Sequence, residues 1–281
     1  MEGKNRLPFR FDNRRVFSAL VFIPLFYLYV QYLPASAFFL LITGVALLAL
    51  REFHQVCFGD RHPGLLMITG FIALGGLLAT MQWAAFSPLA LILQILVMAG
   101  LLSFMFLPSA FTLFSSPPRM LVFGIAYIGV GLGHLLLIRN LEDGQLLIFF
   151  LLLITWAADT GAYYVGKTIG RHQIAPRLSP KKTVEGIGGG LLLAMAITVI
   201  THFILLPTLS MKDCFILAVL LTFIGFVGDL AESSFKRHGK VKDSGTLIPG
   251  HGGILDRIDS LLLTSPAFYY YVILIKSPTG L

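Results

Sequence analysis

Apolar residues along this chain gather into runs separated by short polar breaks. A helix needs roughly 20 apolar residues, in a range of about 17 to 25, to cross the hydrocarbon core of a bilayer. Runs of that kind fall at 16–33, 35–50, 64–80, 88–107, 120–138, 145–165, 187–206, 213–232 and 261–275, the second and last being short. Gly and Pro inside them do not argue against helix, since both are tolerated in membrane spans. The pattern predicts an all-α, polytopic transmembrane helical bundle of about nine spans.

Composition strengthens this reading. Of 281 residues, 56% are hydrophobic and only 12% charged, and mean hydropathy is +0.83. Soluble domains carry about a quarter charged residues, so the spare apolar surface must face lipid. Cys57 and Cys214 stand alone, with neither metal-ligand spacing nor a disulfide framework; they read as small buried hydrophobes. Basic residues precede the first run, and Ala35-Ser36-Ala37 resembles a signal cleavage site. That run is longer than a signal core, and the expectation is an uncleaved first span.

The net charge of +7 is unevenly spread. With nine spans and the N-terminus in the cytoplasm, all but three of the 21 Lys and Arg residues (Arg139, Lys212 and Lys276) fall on the cytoplasmic side, as the positive-inside rule requires. This bias accounts for the high pI, so nucleic acid is not an expected partner. The basic face lies instead beside anionic lipid headgroups.

Two cytoplasmic segments, 166–186 and 233–260, are longer and more polar than the other connections. No low-complexity linker separates them, so 1–281 reads as one integral membrane domain, with generic spans over 16–138 and a catalytic portion over about 145–275. Just before the first segment, Asp159 lies inside an apolar run and shares a helical face with Tyr163 and Gly166. Such a carboxylate faces a bundle interior or watery cavity, or snorkels from a helix end. Ser179-Pro180-Lys181-Lys182-Thr183 joins hydroxyls to point charges, a set suited to phosphate oxygens, though taken alone the stretch reads better as a solvated basic loop. It lacks the Walker spacing. Gly186, Gly188, Gly189 and Gly190 permit either close helix packing or approach of a phosphate.

The second segment is more specific. If the eighth span continues as helix, Asp229, Glu232, Ser233 and Lys236 share one face; Asp256 and Asp259 are likewise one turn apart. Carboxylates so placed repel unless a cation or protons intervene. All-oxygen ligands suit a hard ion such as Mg2+, and nucleotidyl transfer combines such a metal with Lys or Arg. A set of interhelical salt bridges is the plainer alternative. His238 and His251 lack helical His pairing and no Cys is near, so zinc is not expected; His251, between glycines, suits a backbone turn as well as catalysis.

The ordered series Ser234-Phe235-Lys236-Arg237, Lys242-Asp243-Ser244, Pro249-Gly250-His251-Gly252-Gly253 and Asp256-Arg257-Ile258-Asp259 resembles the hallmark of phosphatidate cytidylyltransferases, also called CDP-diacylglycerol synthases. Asp159-Thr160-Gly161-Ala162-Tyr163-Tyr164 and Ser179-Pro180-Lys181-Lys182-Thr183-Val184-Glu185-Gly186 also resemble that family. The resemblance implies CMP transfer from CTP to phosphatidic acid with release of pyrophosphate, a requirement for Mg2+, an all-helical membrane fold and a homodimer. With it, the catalytic candidates are Asp229, Lys236 and Asp256. The metal candidates are Asp159, Asp229, Asp256 and Asp259, with Asp159 open to a second cation. Nucleotide and phosphate candidates are Lys167, Ser179, Lys181, Lys182, Thr183, Ser233, Arg237, His251, Gly252, Gly253 and Arg257.

The expected location is a bacterial inner (plasma) membrane, with the active site on the cytoplasmic side. An ion-coupled transporter is the rival from another class, because intramembrane Asp also marks ion paths. Transporter sites lie near the midplane, whereas the charged groups here gather at one face. A related CTP-dependent lipid kinase or synthase is the nearer alternative.

Overall fold

The computed structural model describes residues 24–59, 64–83, 116–206, 209–245 and 252–276, with isolated positions between 92 and 103. Among them, six helices are long and apolar enough to cross a membrane. They are α1 (Ala35–Phe58), α2 (Gly64–Trp83), α3 (Pro117–Arg139), α4 (Gly144–Ile169), α5 (Val184–Ile204) and α6 (Met211–His238). The chain is thus an all-α polytopic membrane protein. Of the other three expected spans, the first is helical over 24–32, where its description begins, and 88–107 falls largely outside the described residues. The ninth, after a single turn α7 (Leu255–Ile258), is an 11-residue α8 (Leu261–Tyr271) followed by a π-helical turn, Val272–Lys276.

Hydrogen bonds sort the helix ends into two sides. On one, Arg139 at the end of α3 donates to the carbonyls of Val30 and Leu33 (3.3 and 3.4 Å), and Asn140 donates to Gln82 O at 2.9 Å. Ser210 caps α6 there in a reciprocal box with Asp213, and Tyr271 Oη donates to Asp213 at 2.8 Å. The far ends of α1, α4 and α6 and the starts of α5 and α8 meet on the other side, where the polar segments lie.

Burial separates inner from outer helices. Most of the apolar window of α3 is buried (83%), against 28% for α2 and α5. The outer helices show Leu65, Ile68, Ile72, Leu192, Ile200 and Phe203 outward, a surface that only lipid can solvate. Small residues let α4 and α5 meet at backbone distance. A Cβ on Gly161 would come within 2.5 Å of Gly189 O, and one on Gly190 within 2.6 Å of Ala158 O. Gly186, Gly189 and Gly190 at the start of α5 thus pack closely on α4, Gly186 also lining the cavity described below, whereas Gly188 faces open space. Under the polar side, the rings of Phe53, Phe123, Tyr127 and Phe235 join α1, α3 and α6, with Phe53 and Phe235 edge-on at 5.1 Å.

The segment 166–186, expected as a loop, holds a small antiparallel hairpin instead, β1 (Gln173–Ala175) with β2 (Ser179–Thr183). Pro180 and two lysines are weak strand formers, which hid it. Thr183 ends β2 and also caps α5, its Oγ1 accepting from Gly186 N at 3.1 Å.

Candidate active site

Because α6 stays helical to His238, the face carrying Asp229, Glu232 and Lys236 continues unbroken to its polar end. Lys236 Nζ lies 2.5 Å from Glu232 Oε2 and 2.7 Å from Asp256 Oδ1. The other oxygen of Asp256 accepts from Ser244 N (3.0 Å) and Gly253 N (2.8 Å). Burial pushes the Asp256 carboxyl up, but hydrogen bonding with Glu232, Lys236 and Gly253 outweighs it and holds the group below the usual carboxylate range. Gly252 has φ +84°, and a Cβ there would stand 2.7 Å from Asp256 Oδ2. Both the backbone angle and the space therefore ask for glycine.

Asp229, Glu232 and Asp259 each offer an oxygen within 4.8 Å of the others. Gly228 makes this approach feasible, since a Cβ there would meet Asp259 O at 2.7 Å. Burial first, then the charges of Asp229 and Asp159, push the Asp259 carboxyl well above its ordinary value. Glu232 Oε1 has no hydrogen-bond partner among the described residues. Three crowded carboxylates, one with an orphaned oxygen, form a donor set that fits a hard divalent cation. The sequence pairs Asp229 with Asp256; the structure brings Asp229 to Glu232 and Asp259, and gives both oxygens of Asp256 to Lys236 and the backbone.

Beside this cluster a cavity of about 270 Å³ opens between α4, β2, α5 and α6. Asp159 and Tyr163 line it from α4, Ser179, Lys181 and Lys182 from β2, and Asp229 from α6. Lys182 Nζ lies 2.5 Å from Asp229 Oδ2 and 4.8 Å from the centre of the Phe226 ring. Lys181 is exposed at the rim. Thr183 also lines the cavity, though its hydroxyl is engaged by the α5 cap.

The remaining candidates stand at varied distance from this centre. Arg237 Nε donates to Leu178 O at 3.1 Å, tying the hairpin to the end of α6. Lys167 is exposed, 5.5 Å from the Tyr163 ring centre. Ser233 and Gly253 are buried, Gly252 is half-buried and Arg257 is exposed, whereas His251 lies outside the described residues.

Sequence reasoning missed Glu52. It sits in α1, only 6% exposed, and accepts from Ser244 Oγ (3.1 Å), Ile254 N (3.0 Å) and Leu255 N (2.9 Å). The available signal was a carboxylate beside Arg51 interrupting an apolar stretch. An acidic cluster with a lysine-lined cavity at the ends of membrane helices can bind phosphate groups through a cation and direct charge pairing.

Comparison with known proteins agrees with this chemistry. A model described as "Cytidylyltransferase family" matches residues 13–275. The phosphatidate cytidylyltransferase of Bacillus subtilis (strain 168) is 41% identical over 149 residues, 53% of this chain and 55% of that protein. Those of Staphylococcus haemolyticus (strain JCSC1435) and Staphylococcus epidermidis (strain RP62A) are 39% identical over 163 residues (58% of each chain) and 35% over 179 residues (62% of this chain, 68% of that protein). The chain spans little more than half the length of the first two. The family match runs from before the first described helix into the last turn, and the chain belongs to the cytidylyltransferase family.

Proposed function

We propose that this protein transfers CMP from CTP to phosphatidic acid, forming CDP-diacylglycerol and pyrophosphate. The observation that carries this reading is the acidic cluster of Asp229, Glu232 and Asp259 sharing Asp229 with the cavity that Lys181 and Lys182 line. A site at the ends of membrane helices suits a reaction between a water-soluble nucleotide and a lipid. The names of the relatives support the same substrates.

The chemistry asks little of a general base. A lipid phosphate oxygen, already anionic, attacks the α-phosphorus of CTP. A new P–O bond forms, the α–β bridging P–O bond breaks, and its electron pair leaves with pyrophosphate. Catalysis then rests on alignment and charge neutralisation. Asp229, Glu232 and Asp259 would hold Mg2+, which when bound neutralises phosphate charge and polarises a phosphoryl oxygen. Asp159, across the cavity, is the candidate for a second cation. Lys182 is oriented by Asp229 and Lys181 stands at the rim, so together they can meet the triphosphate as it enters. Arg237, while steadying the hairpin, leaves further guanidinium donors for a lipid phosphate or the departing pyrophosphate.

Lys181→Ala should raise the KM for CTP by about tenfold or more, the scale of one hydrogen bond to a charged group, and leave the KM for phosphatidate nearly unchanged. Equal rises for both substrates would remove Lys181 from the nucleotide side. The direct test of the function is purified protein with labelled CTP and phosphatidic acid, with and without Mg2+. Metal-dependent CDP-diacylglycerol and pyrophosphate are expected; ion transport without CTP turnover would overturn the reading.

The polar side is assigned to the cytoplasm of a bacterial inner membrane because basic residues gather there. A reporter placed in 239–245 should therefore be cytoplasmic and one after Leu281 extracytoplasmic. Finding both on one side would refute this topology.

A further inference from the structure

Glu52 belongs to a helix that lines neither the acidic cluster nor the cavity, yet 192 to 203 residues of sequence separate it from its partners among the described residues. Its oxygens take Ser244 Oγ, Ile254 N and Leu255 N, while the Asp256 carboxylate takes Ser244 N and Gly253 N. The two side chains thus grip the same two stretches of backbone, 244 and 253–255, from opposite ends of the chain. Two glycines make room for this grip. A Cβ on Gly245 would stand 2.6 Å from Glu52 Oε1, and one on Gly253 would run into Glu52 Oε2 and Ser244 Oγ. Below, the end of α1 also touches the end of α6, where a Cβ on Gly239 would collide with Val56 O.

We propose that Glu52 is a positioning residue, a buried clamp from α1 that holds Ser244 and the backbone of 254–255 together and so sets where Asp256 and Asp259 project. The proposal rests on the reading of the acidic cluster as a cation site. Without Glu52 three donors, two of them buried, lose their acceptor. The corner would then rebuild its hydrogen bonds by shifting, and Asp259 would lose its register against Asp229 and Glu232. Groups that orient metal ligands without touching the metal typically alter its affinity, or the activity, by about 10- to 100-fold.

The test compares wild type, Glu52→Gln and Glu52→Asp as purified full-length protein in detergent. Gln keeps the shape but turns a donor toward N–H groups that need an acceptor; Asp keeps the charge but is one methylene short. Two quantities are read: hydrogen exchange of the amides at 252–260 across a Mg2+ titration, and the Mg2+ concentration for half-maximal turnover. In folded Glu52→Gln, exchange at 253–256 should speed up, and the Mg2+ midpoint should rise by about 10- to 100-fold in both readouts. The KM for CTP should stay unchanged, and Glu52→Asp should fall between Gln and wild type. Wild-type exchange at 253–256, or faster exchange with an unmoved Mg2+ midpoint, would overturn the proposal, the latter leaving Glu52 a stabilising group only. If Glu52→Gln does not fold, Ser244→Ala removes one of the three donors to Glu52 and should move both readouts the same way by less; no movement would also overturn it. Wild type without CTP turnover would sink the proposed reaction, while the exchange data would still decide whether Glu52 clamps the segment and tunes cation binding.

Discussion

Replacing Asp229 by Asn should lower turnover per folded molecule by at least about a hundredfold, the scale of losing one transition-state electrostatic contributor, with Asp259→Asn falling similarly. Asn keeps the shape of the side chain and removes one negative charge. In the three-carboxylate cluster that charge has no substitute, because Glu232 already gives one oxygen to Lys236. The same change frees Lys182, whose ammonium lies against Asp229. A Mg2+ titration separates the two consequences. Loss of a cation ligand moves the Mg2+ midpoint upward, whereas a misplaced lysine acts on the KM for CTP. Asp243→Asn is the control, since Asp243 is exposed and outside the cluster. Near-wild-type turnover in both Asp229→Asn and Asp259→Asn, with folded protein in hand, would eliminate the cation-site reading.

Lys236→Met should chiefly destabilise the fold. Its side chain is largely buried (14% exposed), with the ammonium between the Glu232 and Asp256 side chains, at 1% and 11%. Methionine fills the space but leaves two carboxylates facing each other without their cation. Removing one partner of a buried ion pair costs about 3–5 kcal/mol, visible as a lower unfolding temperature in detergent. Asp256→Asn should also lose stability, for the opposite reason: the ammonium and two backbone N–H groups lose a charged acceptor. Because the Asp256 carboxyl is held below its ordinary value, its stabilising contribution is complete at neutral pH. That contribution fades as pH falls from the ordinary carboxylate range through the folded value, so the Asn variant should show a shallower loss on acidification. Unchanged unfolding temperatures in both variants would mean that these ion pairs do not hold the corner together.

How much of this was legible depends on how local the cause was. The spans could be read because lipid demands unbroken apolar runs. The boundary that moved furthest is the end of α1, which continues through Arg51 and Glu52 to Phe58, since Glu52 finds donors inside the protein and the charge need not end the helix. The face of Asp229, Glu232 and Lys236 was legible from spacing alone. That Asp259 joins it while Asp256 turns to Lys236 was not, because this depends on how the α7–α8 corner docks at Gly228. Glu52 was hidden for the same reason at greater range, its partners being supplied by a segment at the other end of the chain. The hairpin escaped because strands of three and five residues carry little periodicity.

Thr183 belongs at once to a strand and to a helix cap, and this restricts where the chain can change length. Successive strand residues face opposite sides, so Lys182 turns to Asp229 because Thr183 is anchored at the start of α5. An insertion between Lys182 and the cap would exchange the two lysines, sending Lys181 inward and Lys182 to the rim. An insertion at the hairpin tip, 176–178, leaves that register alone and disturbs the Arg237 bond to Leu178 O and the turn bond from Leu178 N to Ala175 O. The tip is therefore where this segment can accept loops of different length, and the two residues before α5 are where it cannot.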